Sequence, residues 1–203
     1  MRPVAVVTGR AVPLERSDVD TDQIIPSDWL KRVERTGFGR GLFSAWRDDR
    51  SFVLNDERYA GASILVAGEN FGTGSSREHA VWALLDFGFE AVISPRFADI
   101  FFSNCTKQGL VPVTLGADEV RELMDAVASK PELEVTIDVV RRSVEVPAIG
   151  FVASFTLDEF TAERFVNGWD DISLTLLHEG DLERFEAARS VALPGTERRA
   201  PAG

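Results

Sequence analysis

The chain has 203 residues, the size of one generous domain with room for a proper core. Lys and Arg number 22 against 33 Asp and Glu, a formal net charge of −11, which is the wrong sign for neutralising phosphates, so no nucleic acid partner is expected. One cysteine, Cys105, and two histidines, His79 and His178, exclude a disulfide framework, a four-cysteine zinc site and an all-protein iron–sulfur site, so no metal or cofactor is expected on this chain's own residues.

In chain order, MRPVAVVTGR opens with one basic residue and a short apolar stretch, too brief for a signal peptide. Nothing later approaches the ~18 consecutive apolar residues of a membrane span, so a cytoplasmic protein with no membrane partner is expected. Val4 to Thr8 predict an opening strand, and the acidic SDVDTDQ that follows predicts a loop leading to Ile24–Pro26. WLKRVER predicts a short helix capped by Ser27 or Asp28. The glycines of TGFGRG end it and leave a mobile segment.

Ala62 to Gly68 form a continuous apolar run, the pattern of a strand covered on both faces. A helix over about 76–87, a buried strand over Ala91–Pro95, a helix from Arg96 stopped by Gly109, and LVPV follow. Strand, helix, strand, helix, strand implies parallel pairing with right-handed crossovers. Apolar residues at Val120, Leu123, Met124 and Val127 have helical spacing over Asp118–Ser129, and LEVTID with SVEV predict a hairpin with one wet face. From FTLDEF the chain should be helical to about Ala188. The expected organisation is one α/β domain over 1–190 with a mixed sheet, and a disordered tail over 191–203.

The stretch with chemistry is GENFGTGSSRE, Gly68 to Glu78. A buried strand ending in a glycine-rich turn at the mouth of a helix gathers unpaired N–H groups and a positive dipole end, which favour an anion. The phosphate versions fit badly: Ser75 stands where a P-loop needs Lys, Arg77 where the dinucleotide fingerprint needs its third glycine, and Glu78 where a nucleophile elbow needs its second. The plain structural reading is a capping box between Ser75 and Glu78. It leaves the second hydroxyl of Ser76, the glycine cluster and the cation at the positive helix end unexplained. A carboxylate ligand beside Arg77 and the helix mouth explains them, and N–H donors around Ser75 would stabilise its alkoxide form enough to take a proton in a closed site. His79 has a structural reading on the helix, and His178 a solvent-facing one.

With VDTDQIIP (Val19–Pro26), LKRVERTGFG (Leu30–Gly39), KQGLVPV (Lys107–Val113) and NGWDDISLTL (Asn167–Leu176), this motif resembles the small subunits of 3-isopropylmalate dehydratases, the swivelling domain of the aconitase superfamily. The resemblance runs from about residue 8 to 188. It implies a swivelling β/β/α fold, a mixed sheet with flanking helices and a helical C-terminal segment, and activity only as a heterodimer with a large subunit that carries a four-iron, four-sulfur cluster. The implied reaction is a hydro-lyase step of leucine biosynthesis interconverting 2-isopropylmalate and 3-isopropylmalate through isopropylmaleate. By the family's pattern Ser75 is the base, Ser76 and nearby amides stabilise its alkoxide or the substrate, and Arg77 pairs with a substrate carboxylate. Lys31 and Arg32 match the substrate-facing loop, their plain alternative being a solvated basic face. Two positions depart from the family's pattern: Thr73 stands for Cys and Val81 for Pro, which leaves Cys105 a buried structural thiol. Homoaconitate or citraconate as substrate, or a carboxylate-binding module without chemistry, are the competing readings.

Overall fold

The computed structural model describes residues 1–31, 36–75 and 77–189. Contacts divide the chain into two compact units, Met1–Gly168 and Trp169–Gly203. The expected tail over 191–203 lies outside the described residues.

The first unit is built on a seven-stranded sheet. In chain order its elements are β1 (Val6–Leu14), α1 (Thr21–Ile24), α2 (Ser44–Arg47), β2 (Ile64–Ala67), α3 (Glu78–Phe87), β3 (Ala91–Ser94), α4 (Asp99–Gln108), β4 (Val111–Thr114), α5 (Ala117–Ser129), β5 (Glu134–Asp138), β6 (Ser143–Val146), β7 (Phe151–Ser154) and α6 (Glu159–Asn167). The strand order is β4-β3-β2-β1-β5-β6-β7, parallel from β4 to β1 and antiparallel from β1 to β7.

β1 belongs to both halves, and its residues show why. Val6 and Thr8 are exposed around buried Val7, the alternation of a sheet wet on one face, and this part pairs antiparallel with β5. Ala11 to Leu14 are all buried and pair parallel with Ile64–Ala67. The strand therefore runs six residues past the Thr8 at which the sequence reading ended it. Gly9 admits a close approach, since a Cβ there would lie 2.1 Å from Ser63 Oγ. β2 and β3 are buried throughout, as their continuous apolar runs require, and α5 buries Val120, Leu123, Met124 and Val127, the four residues its spacing selected.

β7 is an addition to the sequence reading, paired with β6 from Ser143↔Ser154 to Val146↔Phe151. Three further elements differ. The segment after Asp28 is a 3-10 turn over Ser27–Lys31, and the rest of its expected helix lies outside the described residues. Of the glycine segment expected to be mobile, Phe38 is buried and Gly39 N–H donates to Asp86 Oδ2 at 2.8 Å. Its glycines serve close packing: a Cβ at Gly39 would meet Phe87 N at 2.8 Å, and one at Gly41 the Trp29 ring at 2.5 Å. Helix α4 starts at Asp99 rather than Arg96, because Phe97 bridges to Phe71 and Ala98 N–H is taken by Phe71 O at 3.1 Å.

The second unit contains α7 (Asp171–Leu176), capped by Asp170, and α8 (Glu179–Ala188). Neither helix has a buried residue. No helix among the described residues is long and apolar enough to cross a membrane.

Candidate active site

Two segments leave the carboxyl ends of the neighbouring parallel strands β1 and β2, where open α/β sheets usually place ligands. They are zipped together. Asp18 N–H donates to Glu69 O at 2.7 Å, and the N–H groups of Gly72 and Thr73 donate to Val19 O at 2.8 and 3.2 Å. Thr21 N–H donates to Thr73 O at 2.9 Å, and the Thr21 hydroxyl to Ser75 O at 3.0 Å. Asp22 closes the series by pairing with the Arg77 guanidinium. The VDTDQIIP and GENFGTGSSRE stretches are thus one structure.

The turn needs its glycines. Gly72 and Gly74 have φ of +81° and +87°, and a Cβ at Gly72 would lie 2.2 Å from Phe101 Cγ. The chain enters helix α3 at Glu78 with Arg77 as N-cap, and among the described residues no side chain caps it. This overturns the capping-box reading and the expected helix start near residue 76. Ser75 precedes the helix, and its side chain is not tied up as a cap. Arg77 does not oppose the dipole from within the first turn; its side chain, 19% exposed, turns to the 53% exposed Asp22.

Ser75 is exposed and opens on a cavity of about 210 Å³. Thr21, Ser75 and Arg77 make its polar wall, and Ala98, Ile100 and Phe101 its apolar one. The second wall is the start of α4, whose N-cap, Ala98, also provides no side-chain cap. Two helix N-termini without side-chain caps and one guanidinium converge on a space that an exposed serine shares. Asp99, in the first turn of α4, lines it too and offsets part of that positive field. The arrangement suits an organic anion with an apolar part, held beside a hydroxyl.

The profile of the aconitase C-terminal domain family matches residues 1–118, more than half of the chain. A 3-isopropylmalate dehydratase small subunit from Parafrankia sp. (strain EAN1pec) is 63% identical over 196 residues, 97% of this chain and 100% of that protein. The chain belongs to the 3-isopropylmalate dehydratase small-subunit family. Another member, from Rubrobacter xylanophilus, is 57% identical over 96% of this chain and 98% of its own length. A crystal structure of 3-isopropylmalate dehydratase from Methanocaldococcus jannaschii superposes with a TM-score of 0.66 at 27% identity, covering 90% of this chain and 99% of that one. The swivelling α/β fold with its mixed sheet and flanking helices is the family's fold.

Within that family frame, the structure unites Ser75 and Arg77 but not every residue singled out from the sequence. Lys31 is exposed, pairs with Asp28 at 3.0 Å and does not line the cavity. Ser76 and Arg32 lie outside the described residues. His79 packs on Phe38 and Trp82, with ring centroids 5.3 and 4.6 Å away, which fits its structural reading. His178 is exposed beside Asp181. Thr73 supplies backbone groups to the zipped segments. Cys105 is fully buried and burial pushes its thiol well up, so it stays protonated at neutral pH. No group of three or more His, Cys, Asp or Glu among the described residues is arranged to hold a metal. A cluster needs several thiolates, and this chain has one enclosed thiol, so its donor set does not fit one. Sequence reasoning missed Thr21, Asp22 and the start of α4. Their signal was position: each follows the carboxyl end of a strand in the parallel half.

Proposed function

We propose that this chain is the small subunit of a 3-isopropylmalate dehydratase, a hydro-lyase of leucine biosynthesis that works in the cytoplasm as a heterodimer with a large subunit. The substrate interconversion is between 2-isopropylmalate and 3-isopropylmalate, by loss and re-addition of water through isopropylmaleate. The observation that carries this reading is the exposed Ser75 sharing a cavity with Arg77 and with two helix N-termini whose N-cap residues make no side-chain cap.

The proton to be removed lies on a carbon next to a carboxylate and is weakly acidic. Its removal requires the developing negative charge to be met by fixed donors. Arg77 and the helix amides take the carboxylate, and Ser75, in its alkoxide form, accepts the proton and becomes a hydroxyl. The C–H electron pair becomes the new C=C bond as the hydroxyl on the adjacent carbon departs as hydroxide; release of the proton now on Ser75 and uptake of one by the hydroxide complete the water and restore the alkoxide. Ser76 and the loop amides steady the alkoxide, while Lys31 and Arg32 belong to a loop that meets the substrate once the large subunit covers it. A four-iron, four-sulfur cluster, when held by the large subunit, supplies the Lewis acidity for the leaving hydroxyl.

Replacing Ser75 by Ala tests the reading. The variant should assemble normally with the large subunit and lose turnover by about 10³-fold or more, because it removes the base and leaves the binding donors in place. Near-normal conversion by the assembled variant, followed through the ultraviolet absorbance of isopropylmaleate, would refute the assignment.

A further inference from the structure

Three consecutive residues after β1 grip three alternate residues of the serine loop. Asp20 forms a β-bridge with Thr73, Thr21 bonds Ser75, and Asp22 pairs with Arg77. Asp22 is half exposed, whereas Thr21 is 1% exposed. Thr21 is held at both ends: its N–H donates to Thr73 O at 2.9 Å and its carbonyl accepts from Ile25 N–H at 2.9 Å. With its backbone so fixed and its β-branched side chain confined to a couple of rotamers, its hydroxyl donates to the carbonyl of Ser75 itself at 3.0 Å.

That bond bears on the direction of the serine hydroxyl. Gly74, just before Ser75, sits at φ +87° with no side chain of its own to brace the turn. Anchoring the Ser75 carbonyl restrains the peptide plane that follows it, and with it ψ at that residue and the direction in which Cβ, the carrier of the hydroxyl, leaves the backbone. Thr21 lines the cavity beside Ser75, but its hydroxyl is directed to the peptide oxygen.

We propose that Thr21 is a positioning residue for the dehydration, its hydroxyl aiming the side chain of Ser75 at the proton to be removed. The proposal rests on Ser75 being the base, and misplacing a reacting group by about 1 Å can cost on the order of 10²-fold in rate. In the assembled enzyme Thr21→Val, which keeps the shape and removes the hydroxyl, should lower kcat by about 10- to 100-fold and leave KM within about twofold. Thr21→Ser, which keeps the hydroxyl and drops the methyl group, should stay within about threefold of the parent. On a Ser75→Ala background Thr21→Val should cost nothing further, since residues that act as a unit are not additive.

Each result decides something. Parent-like kcat for Thr21→Val with an inactive Ser75→Ala overturns the positioning role and spares the base. An active Ser75→Ala overturns the base, and the positioning role with it. An equal loss in Thr21→Val and Thr21→Ser, or a further loss on the Ser75→Ala background, reduces Thr21 to packing and overturns the proposal. Should Thr21→Val fail to assemble, Thr21→Ser still decides: a kcat more than about tenfold below the parent overturns it.

Discussion

At residue 72 a methyl group would lie 2.2 Å from Phe101 Cγ and 2.6 Å from Phe101 Cβ, while at residue 74 the nearest atom, Asp20 Cβ, is 3.4 Å away. Both glycines have positive φ. Gly74→Ala should therefore lose only the left-handed backbone term of about 1–2 kcal/mol. Gly72→Ala adds overpacking of about 1–3 kcal/mol, and its excess over Gly74→Ala should show in the urea midpoints of the two variants. Equal midpoints would mean that Phe101 yields. The sequence displayed the glycines and Ser75 and Arg77 together, so their chemistry could be read locally. Thr21 and Asp22 could not be read that way, because their partners lie 54 and 55 residues away and the acidic stretch around them looks like any solvated loop.

Among the elements, α6 begins where the chain leaves β7, and Asp158 caps it by accepting from Thr161 N–H at 2.9 Å. Hydrogen bonds from the Thr161 side chain and then its backbone hold the Asp158 carboxyl below its ordinary range. A depressed pKa contributes stability above the unfolded value of about 3.9 and loses it as pH falls through the folded one. Asp158→Ala should thus cost about 1 kcal/mol at pH 7, with the gap to the parent closing below about pH 4. Asp158→Asn keeps an acceptor and should show a small gap. Urea titrations at several pH values read both, and a gap constant with pH would show that the charge is immaterial. The same physics governed which elements were legible. α5 and the β5–β6 hairpin declared themselves by period, but β7 is four residues, Phe151–Ser154, running into a segment with helical signals. Likewise α3 starts later than its capping pattern suggested, with Arg77 in the N-cap position and Ser75 in the turn before it.

For the molecule as a whole, the strand and helix alternation exposed the parallel half of the sheet in advance, whereas the double pairing of β1 depended on a partner, β5, more than a hundred residues away and left no local trace. What the fold then offers, among the described residues, is the exposed Ser75 and the Arg77 guanidinium on a cavity of about 210 Å³. Expelling a hydroxyl from a carbon next to a poorly acidic C–H asks for a Lewis acid as well. Cys105, at 0% exposure and with its thiol pushed up by burial, presents no thiolate at neutral pH. The purified chain, incubated anaerobically with ferrous iron and sulfide and then desalted, should retain no stoichiometric iron and show no turnover. Both should arrive with the large subunit, and Cys105→Ser should leave the iron content of the assembled enzyme unchanged. Iron retained by the isolated chain and lost in Cys105→Ser would place a cluster ligand inside this core, and the division of labour between the two subunits would have to be redrawn.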